Sequence, residues 1–595
     1  MIEVKRVQNK NLLELLLDQK HFVDNPCNGK GLCGKCKVKI ISGEVNSLTS
    51  TEERLLTSEE IESGIRLSCL VVPQEDLKVE LLKKELNHKV LTSGYMPKFE
   101  INTSIKKKVI DITRSSLDEQ TPLEDQILLK SGAKSIDYEI LKDLIFDEGI
   151  YTVVTNNYKN NLEIIGLEKG DTTSKLYGIS MDIGTTTVVV ALIDLNTGDE
   201  ISNDSMINAQ KHFGLDVLTR ITYELEHPED GIRKLQEAMV NSINTMIESV
   251  CEKSKVSKEN IYEVAIGANC TMMHMLLGVD ATSIGKAPYA PVFVKAKNIN
   301  ARDIGIEVAQ FGRIYCLPSV SSYIGADIVA GVYVCQLEKS KENILFIDIG
   351  TNGEIVLSKG GELLCCSCAA GPALEGMNIS SGMRASDGAI EDVVITKSGI
   401  ETKVIGDNPP IGVCGSGILA VVRELVLNGL IKKDGAFIKK EKLEESDYRY
   451  KMIQMKEKKR EFILTEEPEK ILITQGDVRQ VQLAKGAILS GFYALLKKAD
   501  ITMEDLDKVM IAGQFGAHLP ADSLIGTGIL PKEVKEKLVY VGNSSKTGAY
   551  MALMSNEAKS EMERLAHKMK YLELGATEGY ERLFAQCLIF PKVEK

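Results

Sequence analysis

The sequence predicts a multidomain α/β protein, and three observations carry that reading. The chain has 595 residues, too many for one hydrophobic core and enough for roughly three to five domains. A loop near its start, CNGKGLCGKC, holds three cysteines and three glycines in ten residues. Farther along, SMDIGTTTVVVALIDLNTGDEI is echoed by LFIDIGTNGEIVLSKGGELL, giving twice the succession of strand, Asp-Ile-Gly-Thr turn and strand.

Composition narrows the class. An apolar fraction of 44% with 26% charged residues is ordinary for a globular protein. Apolar runs such as TTVVVALIDL fall short of the ~20 residues a membrane span needs, and the start MIEVKRVQNK lacks the features of an export signal. The expectation is a cytoplasmic protein with no membrane partner. A formal charge of -12, from 72 basic and 84 acidic residues, argues against nucleic acid, which selects a dense basic surface. Thirteen cysteines are far too few for a disulfide scaffold, and clustered cysteines in a reducing compartment point to metal.

The metal pattern is Cys27-x5-Cys33-x2-Cys36 followed by the distant Cys69 in GIRLSC. Zinc sites usually bring their ligands as two close pairs, whereas three sulfurs on one loop plus one remote sulfur suit a [2Fe–2S] cluster, whose two irons share four thiolates. Gly29, Gly31 and Gly34 supply the positive φ such a wrapped loop requires. A zinc site and free thiols remain the alternatives. LLELLLDQ reads as a helix, and KCKVKIISGEV and EDLKVELL read as strands. Residues 1–86 are therefore expected to form a small β-grasp, ferredoxin-like domain, followed by a polar linker over 87–100. Residues 101–175 mix the strand-like IKKKVIDI and YTVVTNN with the helical YEILKDLIF and make a small α+β middle domain without recognisable chemistry.

The remainder, 176–595, carries the duplicated motif. In each copy a carboxylate ends a strand, Asp182 in one and Asp348 in the other, positioned to hold hydrated Mg²⁺ as the catalytic acidic pair. Gly184, Thr185, Thr186 and Thr187, and likewise Gly350, Thr351, Asn352 and Gly353, form turns whose amides and hydroxyls suit phosphate oxygens. Gly415, Ser416 and Gly417 open a helical run as an anion-friendly start. Gly513, Gln514, Phe515 and Gly516 follow an apolar strand, where bare backbone suits packing against a nucleotide base. In this order the pieces resemble the superfamily of sugar kinases, heat-shock chaperones and actin, which implies two RNase H-like halves closing on ATP. Cys365, Cys366 and Cys368 read as small packing residues, as does His274 in TMMHMLLG. The charged segment 432–462 reads as an exposed insertion or hairpin.

The cysteine loop and the cleft together resemble one family closely, the reductive activators of corrinoid proteins. The signatures are GKGLCGKC with GIRLSC, MDIGTTT, DVLTRI, GANCTMMHMLLGVD, YAPVF, IGADIVAG, DIGTNGEI, CAAGPALEGMNISSGMRASDGAI, GVCGSGI, QLAKGAI and IAGQFGAHL, in order along nearly the whole chain. The resemblance implies ATP-dependent, one-electron reduction of cob(II)alamin to cob(I)alamin through the [2Fe–2S] cluster. It also implies a corrinoid protein partner, a low-potential electron donor and a homodimer built through the ATPase domain. A related branch carries its clusters in a cysteine-rich C-terminal region, but here that region has only Cys587, so the front domain must hold the redox centre. Rival readings are a small-molecule kinase with an appended ferredoxin, for which Asp216 or Asp327 would be the acid, a radical-generating dehydratase activator, and an ATP-binding redox sensor.

Overall fold

The computed structural model describes residues 2–592 other than 9, 20, 22, 24–28, 30, 32, 33, 35, 83–94, 146, 457, 458, 468, 514, 515, 517 and 518. Its chain divides into two compact units. One comprises 1–87, 207–242 and 274–289, and the other comprises 88–206, 243–273 and 290–595.

The first unit contains a four-stranded sheet in the order Ile2–Val4, Leu77–Leu81, Lys37–Ser42, Ile65–Leu67. The helix Leu12–Asp18 covers it, started by a reciprocal capping box between Asn11 and Glu14. Leu12, Leu13, Leu15 and Leu16 are buried with Val4, Val38, Leu67, Leu77 and Val79 in a small core. The helix, the long central strand and the late strand fall where their apolar patterns predict them. In the same unit Asp216 is the N-cap of the helix Val217–Glu226, in a capping box with Thr219, so its carboxylate serves the backbone.

The second unit is built around two six-stranded sheets of one topology. The first runs Glu200–Ile207, Thr187–Asp194, Tyr177–Ile183, Ile261–Ala268, Arg313–Cys316, Lys297–Asn300. The second runs Glu362–Cys368, Gly353–Lys359, Asn343–Ile349, Lys508–Ala512, Leu538–Gly542, with Lys570–Tyr571 added outside Glu362–Cys368. In each sheet an antiparallel hairpin is followed by a parallel crossover strand beside its first member. The central strands, such as Thr187–Asp194 and Ile261–Ala268, are nearly continuous apolar runs, as a sheet covered on both faces requires.

Two helices cross between these sheets, Ala326–Val334 and Ser544–Met554. They approach so closely that a Cβ on Gly548 would stand 2.4 Å from Ala330 Cβ, and one on Gly331 would stand 2.5 Å from the Phe346 ring. The Cys365, Cys366 and Cys368 side chains are buried. The latter two face Gly491 of the helix Gln475–Ala499, where a Cβ would meet Cys368 Sγ at 2.3 Å. They pack a helix onto a strand, as the sequence suggests, and His274 is likewise fully buried. Part of the charged segment is a hairpin, one of the two forms its sequence suggests: Ile453–Lys456 pairs with Lys459–Thr465, which also pairs with Ile471–Thr474, but Ile453, Phe462 and Ile463 enter the core, so the hairpin is not wholly exposed.

Residues 105–169 form a further sheet, Ile105–Ile112, Gly149–Tyr158, Asn161–Lys169, Ser135–Ile136, with helices Leu123–Ser131 and Tyr138–Asp143. Buried charge ties it to the first of the two large sheets. Lys107 pairs with Glu168 at 2.6 Å and lies 5.0 Å over the Tyr262 ring. Burial lowers its ammonium pKa, with Glu168 opposing that shift. Lys559 pairs with Glu263 and donates to Ser104 Oγ at 2.5 Å, with Glu263 0% and Lys559 2% exposed. Burial raises the Glu263 carboxyl even with Lys559 beside it.

Removing one member of a buried pair strands the other charge. Lys559→Met is therefore expected to destabilise this unit by about 3–5 kcal/mol, and adding Glu263→Leu should recover most of the loss. Urea unfolding followed by far-ultraviolet circular dichroism checks both.

Candidate functional site

In the first unit, Cys36 immediately precedes the strand Lys37–Ser42 and Cys69 follows Ile65–Leu67. Their sulfurs are 3.2 Å apart and both side chains are buried. That is far from the 2.03–2.05 Å of a disulfide. The Cys69 thiol's hydrogen bond is the main reason the Cys36 thiol drops to about 6, against burial acting the other way. Gly29, Gly31 and Gly34 adopt φ of +74°, +69° and +66°, and their Cα hydrogens face Leu13, Leu70 and Leu55. Cys27 and Cys33 lie outside the described residues.

A buried carboxylate underpins this corner. Glu52 is 0% exposed and receives Arg66 Nε at 2.8 Å, Arg66 Nη2 at 3.0 Å and the Leu67 amide at 3.1 Å. Burial raises its pKa, but Arg66 and the backbone donors outweigh burial and leave it below the ordinary range. The strand delivering Cys69 is thereby pinned. Two convergent, buried sulfurs with one thiol disposed to ionise, beside a loop of left-handed glycines, fit an iron–sulfur group held by thiolates.

The second unit holds the cleft. Asp182 ends Tyr177–Ile183 and Asp348 ends Asn343–Ile349, each at the mouth of a hairpin. Gly184 N–H donates to the Thr187 carbonyl at 2.9 Å, and Gly350 N–H donates to the Asn352 carbonyl at 2.9 Å, so these amides close the turns themselves. Gly353 pairs with Ile349 across the second hairpin. Asp327, second residue of Ala326–Val334, belongs to the same group of acids. Burial, followed by repulsion from Asp182, lifts Asp327 to about 7. Burial, followed by Asp327 and Asp182, lifts Asp348 to about 8. Glu354, directly across the hairpin from Asp348, is pushed well above its usual range by burial and by Asp327 and Asp348. Asp182 is raised by burial but is partly compensated, since Asn543 Nδ2 donates to its Oδ2 at 2.9 Å.

Hydroxyls line the turns. Asn269 Nδ2 donates to Thr185 Oγ1 at 3.0 Å. Thr186 Oγ1 donates to Glu375 Oε2 at 2.8 Å, and Thr351 Oγ1 donates to the other oxygen of the same carboxylate. Gly513, at φ +89°, abuts Asp348: a Cβ there would lie 2.4 Å from Asp348 Oδ1. Gly516 packs on Ile511, while Gln514 and Phe515 lie outside the described residues. Gly415 and Gly417 open the helix Gly415–Leu427, and their bareness is a packing requirement. Cβ atoms there would stand 1.9 Å from the Leu374 carbonyl and 2.0 Å from the Ile390 carbonyl. Ser416 Oγ is 3.3 Å from Cys414 Sγ.

The structure thus gathers Asp182, Asp348 and both threonine turns as the sequence suggests. It adds Asn269, Glu354, Glu375 and Asn543, which sequence reasoning passed over, and it places Asp327 with the paired acids. Glu354 could have been found by writing the second motif as a hairpin, which sets it opposite Asp348. No periodicity marks Glu375 or Asn543.

Comparisons with known proteins agree with this geometry. Residues 342–595 match the C-terminal, ASKHA domain of RACo, residues 177–340 match the RACo middle region, and residues 2–74 match the 2Fe-2S iron-sulfur cluster binding domain. The chain is 31% identical over 583 residues to the corrinoid activation enzyme RamQ of Eubacterium limosum, covering 95% of this chain and 93% of that one. It is 24% identical over 448 residues to the [Co(II) methylated amine-specific corrinoid protein] reductase of Methanosarcina barkeri, covering 69% and 76%. Among solved structures, a reductive activator for corrinoid, iron-sulfur protein superposes with a TM-score of 0.73 at 32% identity, over 100% of this chain and 99% of that one. Two sheets of one topology with an acidic cleft, preceded by a two-iron ferredoxin-type domain, place this chain in the family of reductive activators of corrinoid proteins.

Proposed function

We propose that the protein is an ATP-hydrolysing activator that delivers one electron to an inactive Co(II) corrinoid on a partner protein and returns it to Co(I). The observation that carries the reading is the meeting of Asp182, Asp327 and Asp348 at two copied hairpins, in a chain that also carries the cysteine loop. Cys27, Cys33, Cys36 and Cys69 are the ligands of a [2Fe–2S] cluster, which when bound supplies one-electron transfer at low potential. Burial of Cys36 and Cys69 keeps water from these sulfurs, and the Arg66–Glu52 pair holds the strand that sets Cys69. A low-potential donor in the cytoplasm feeds this site, and the protein acts as a homodimer.

In the cleft, Asp182 and Asp348 hold hydrated Mg²⁺ against the phosphates of ATP, with Asp327 beside them. The two hairpins cradle the phosphates, and the turn at Gly513 and Gly516 receives the base. Phosphoryl transfer goes to water. Asp216, committed to its helix cap, has no part in it. ATP is needed because moving one electron uphill costs about 2.3 kcal/mol per 100 mV. Coupling between binding sites runs at about 1–3 kcal/mol, enough to offset about a hundred millivolts. The ATP state binds the corrinoid protein so that Co(II) loses ligand and accepts the electron, and hydrolysis releases the complex.

The direct test is Co(II) corrinoid reduction with a low-potential donor, followed by visible spectroscopy with and without ATP. ATP is expected to be required, and equal rates would remove it from the mechanism. Cys69→Ser should lose the iron–sulfur absorption and Co(II) reduction while retaining nucleotide affinity, as read by iron content and nucleotide titration.

The raised carboxyls set a pH dependence. Asp327 and Asp348 titrate near 7 and 8 in the free cleft, well above the ordinary carboxylate value. They carry protons that a divalent cation must expel. Affinity for Mg²⁺ with nucleotide should therefore rise from pH 6.5 to 8.5 (roughly spanning the two values), with proton release detectable by calorimetry in buffers of different ionisation enthalpy. The sign is opposite to that of a salt-bridged carboxylate, whose pKa is lowered. Here the fold favours the protonated form, so the free protein loses stability as pH climbs from the unfolded value towards 8.

A further inference from the structure

Glu375 occupies a position that no phosphate-binding motif predicts. It ends the short turn Pro372–Glu375, is 2% exposed, and uses its two oxygens separately. Oε2 accepts from Thr186 in the first hairpin turn and Oε1 accepts from Thr351 in the second. One carboxylate is thus the common acceptor of two loops that belong to different sheets. The surrounding backbone is built to keep it there. Gly376, at φ +74°, lies where a Cβ would stand 2.2 Å from the Met383 carbonyl, and Gly415 lets the next helix touch the Leu374 carbonyl.

A hydroxyl has one proton and two lone pairs. When Thr186 and Thr351 give their protons to Glu375, neither can donate to a phosphate oxygen. Anything else they meet, they meet as acceptors. A nucleotide phosphate offers acceptors only, so the partner suited to both hydroxyl oxygens is a divalent cation or its coordinated water. Hard cations take oxygen ligands of this kind, and the neighbouring acids Asp182, Asp327 and Asp348 favour the same occupant. The Thr hydroxyls, read from sequence as phosphate donors, thereby change role.

We propose that Glu375 is a positioning residue that commits the Thr186 and Thr351 protons, so that both hairpins turn oxygen lone pairs towards the divalent cation accompanying the nucleotide. The proposal rests on the ATPase reading of the cleft. It assigns cation recognition to an acid outside both Asp-Ile-Gly-Thr motifs, and it makes occupancy of the cleft depend on both loops being drawn to one carboxylate.

The test uses the full chain, Mn²⁺ as probe and ADP, with bound Mn²⁺ read by electron paramagnetic resonance. Glu375→Gln gives one loop an amide donor in place of an acceptor and should weaken Mn²⁺ binding about 10–100-fold, the usual cost of removing a group that orients ligands. ADP affinity without metal should stay within about twofold, inside the scatter of neutral changes. Thr186→Ser and Thr351→Ser, which keep the hydroxyls, should bind Mn²⁺ as the native protein does. The double variant Thr186→Val with Thr351→Val should reproduce the Glu375→Gln loss, and it decides the matter should Glu375→Gln fail to fold by circular dichroism. Unchanged Mn²⁺ affinity in a folded Glu375→Gln protein would overturn the proposal. So would a loss of metal-free ADP affinity in the valine variant, which is the signature of hydroxyls donating to phosphate. If the native protein shows these metal differences but ATP does not support corrinoid reduction, the role of Glu375 stands and the activator reading falls.

Discussion

Four half-buried carboxyl groups, those of Asp182, Asp327, Asp348 and Glu354, are brought together, and the rest of the cleft is arranged around that repulsion. Like charges at close range in a poorly polarisable interior cannot all be ionised without compensation. The protein meets part of the cost locally, with the Asn543 amide on Asp182. It leaves the remainder to protons, or to a cation that arrives with its ligand. Backbone without side chains makes the gathering possible: Gly513 lies against Asp348, and Gly548 lets the helix after the last parallel strand rest on the helix that begins beside Asp327. On the proposed nucleotide reading, a cleft so constituted would repel a bare polyphosphate and favour one whose charge a cation has already neutralised.

The redox half is organised on the opposite principle. Its sulfurs sit in an apolar shell supplied by the helix Leu12–Asp18 and the four-stranded sheet, with their own core. Among the described residues of 1–86, Glu52 is the deeply buried acid, paired with Arg66 and held ionised. A site that exchanges electrons gains from a fixed environment, because any rearrangement of its surroundings adds to the barrier. A site that binds and releases a nucleotide gains from stored imbalance. The chain keeps these requirements in separate cores, while the small sheet of residues 105–169 is fastened to the nucleotide unit by Lys107, Glu168, Lys559 and Glu263.

Much of this was legible in the sequence. The long apolar strands, the helix over LLELLLDQ and the repeated Asp-Ile-Gly-Thr each have a local physical signature, and each falls where that signature puts it. Elements read only in part had signals that were weak or shared. Asn161–Lys169, which pairs with the strand-like Gly149–Tyr158, carries polar residues, and Lys459–Thr465 looks like a solvated charge run although Phe462 is buried. The functional side chains that went unnoticed, Glu375 and Asn543, come from chain segments far from the motifs they serve. Their relation to Thr186, Thr351 and Asp182 exists only after the sheets have formed, so no spacing rule encodes it. Gly415 and Gly417 illustrate the converse case, in which a motif suggestive of anion binding owes its glycines to two carbonyl oxygens in van der Waals contact.

The two halves share a topology but not a hairpin chemistry. Across from Asp182 stands Val189, whereas across from Asp348 stands Glu354. One copy therefore has an apolar neighbour for its acid and the other has a second acid. The two copies are not interchangeable. A protein assembled from two first halves would lack Glu354 and Glu375, and one assembled from two second halves would carry Glu354 twice and lose Asp327 and Asn269. The asymmetry gives the cleft two chemically different ends, so on the proposed nucleotide reading a bound triphosphate would meet a different neighbour at each hairpin.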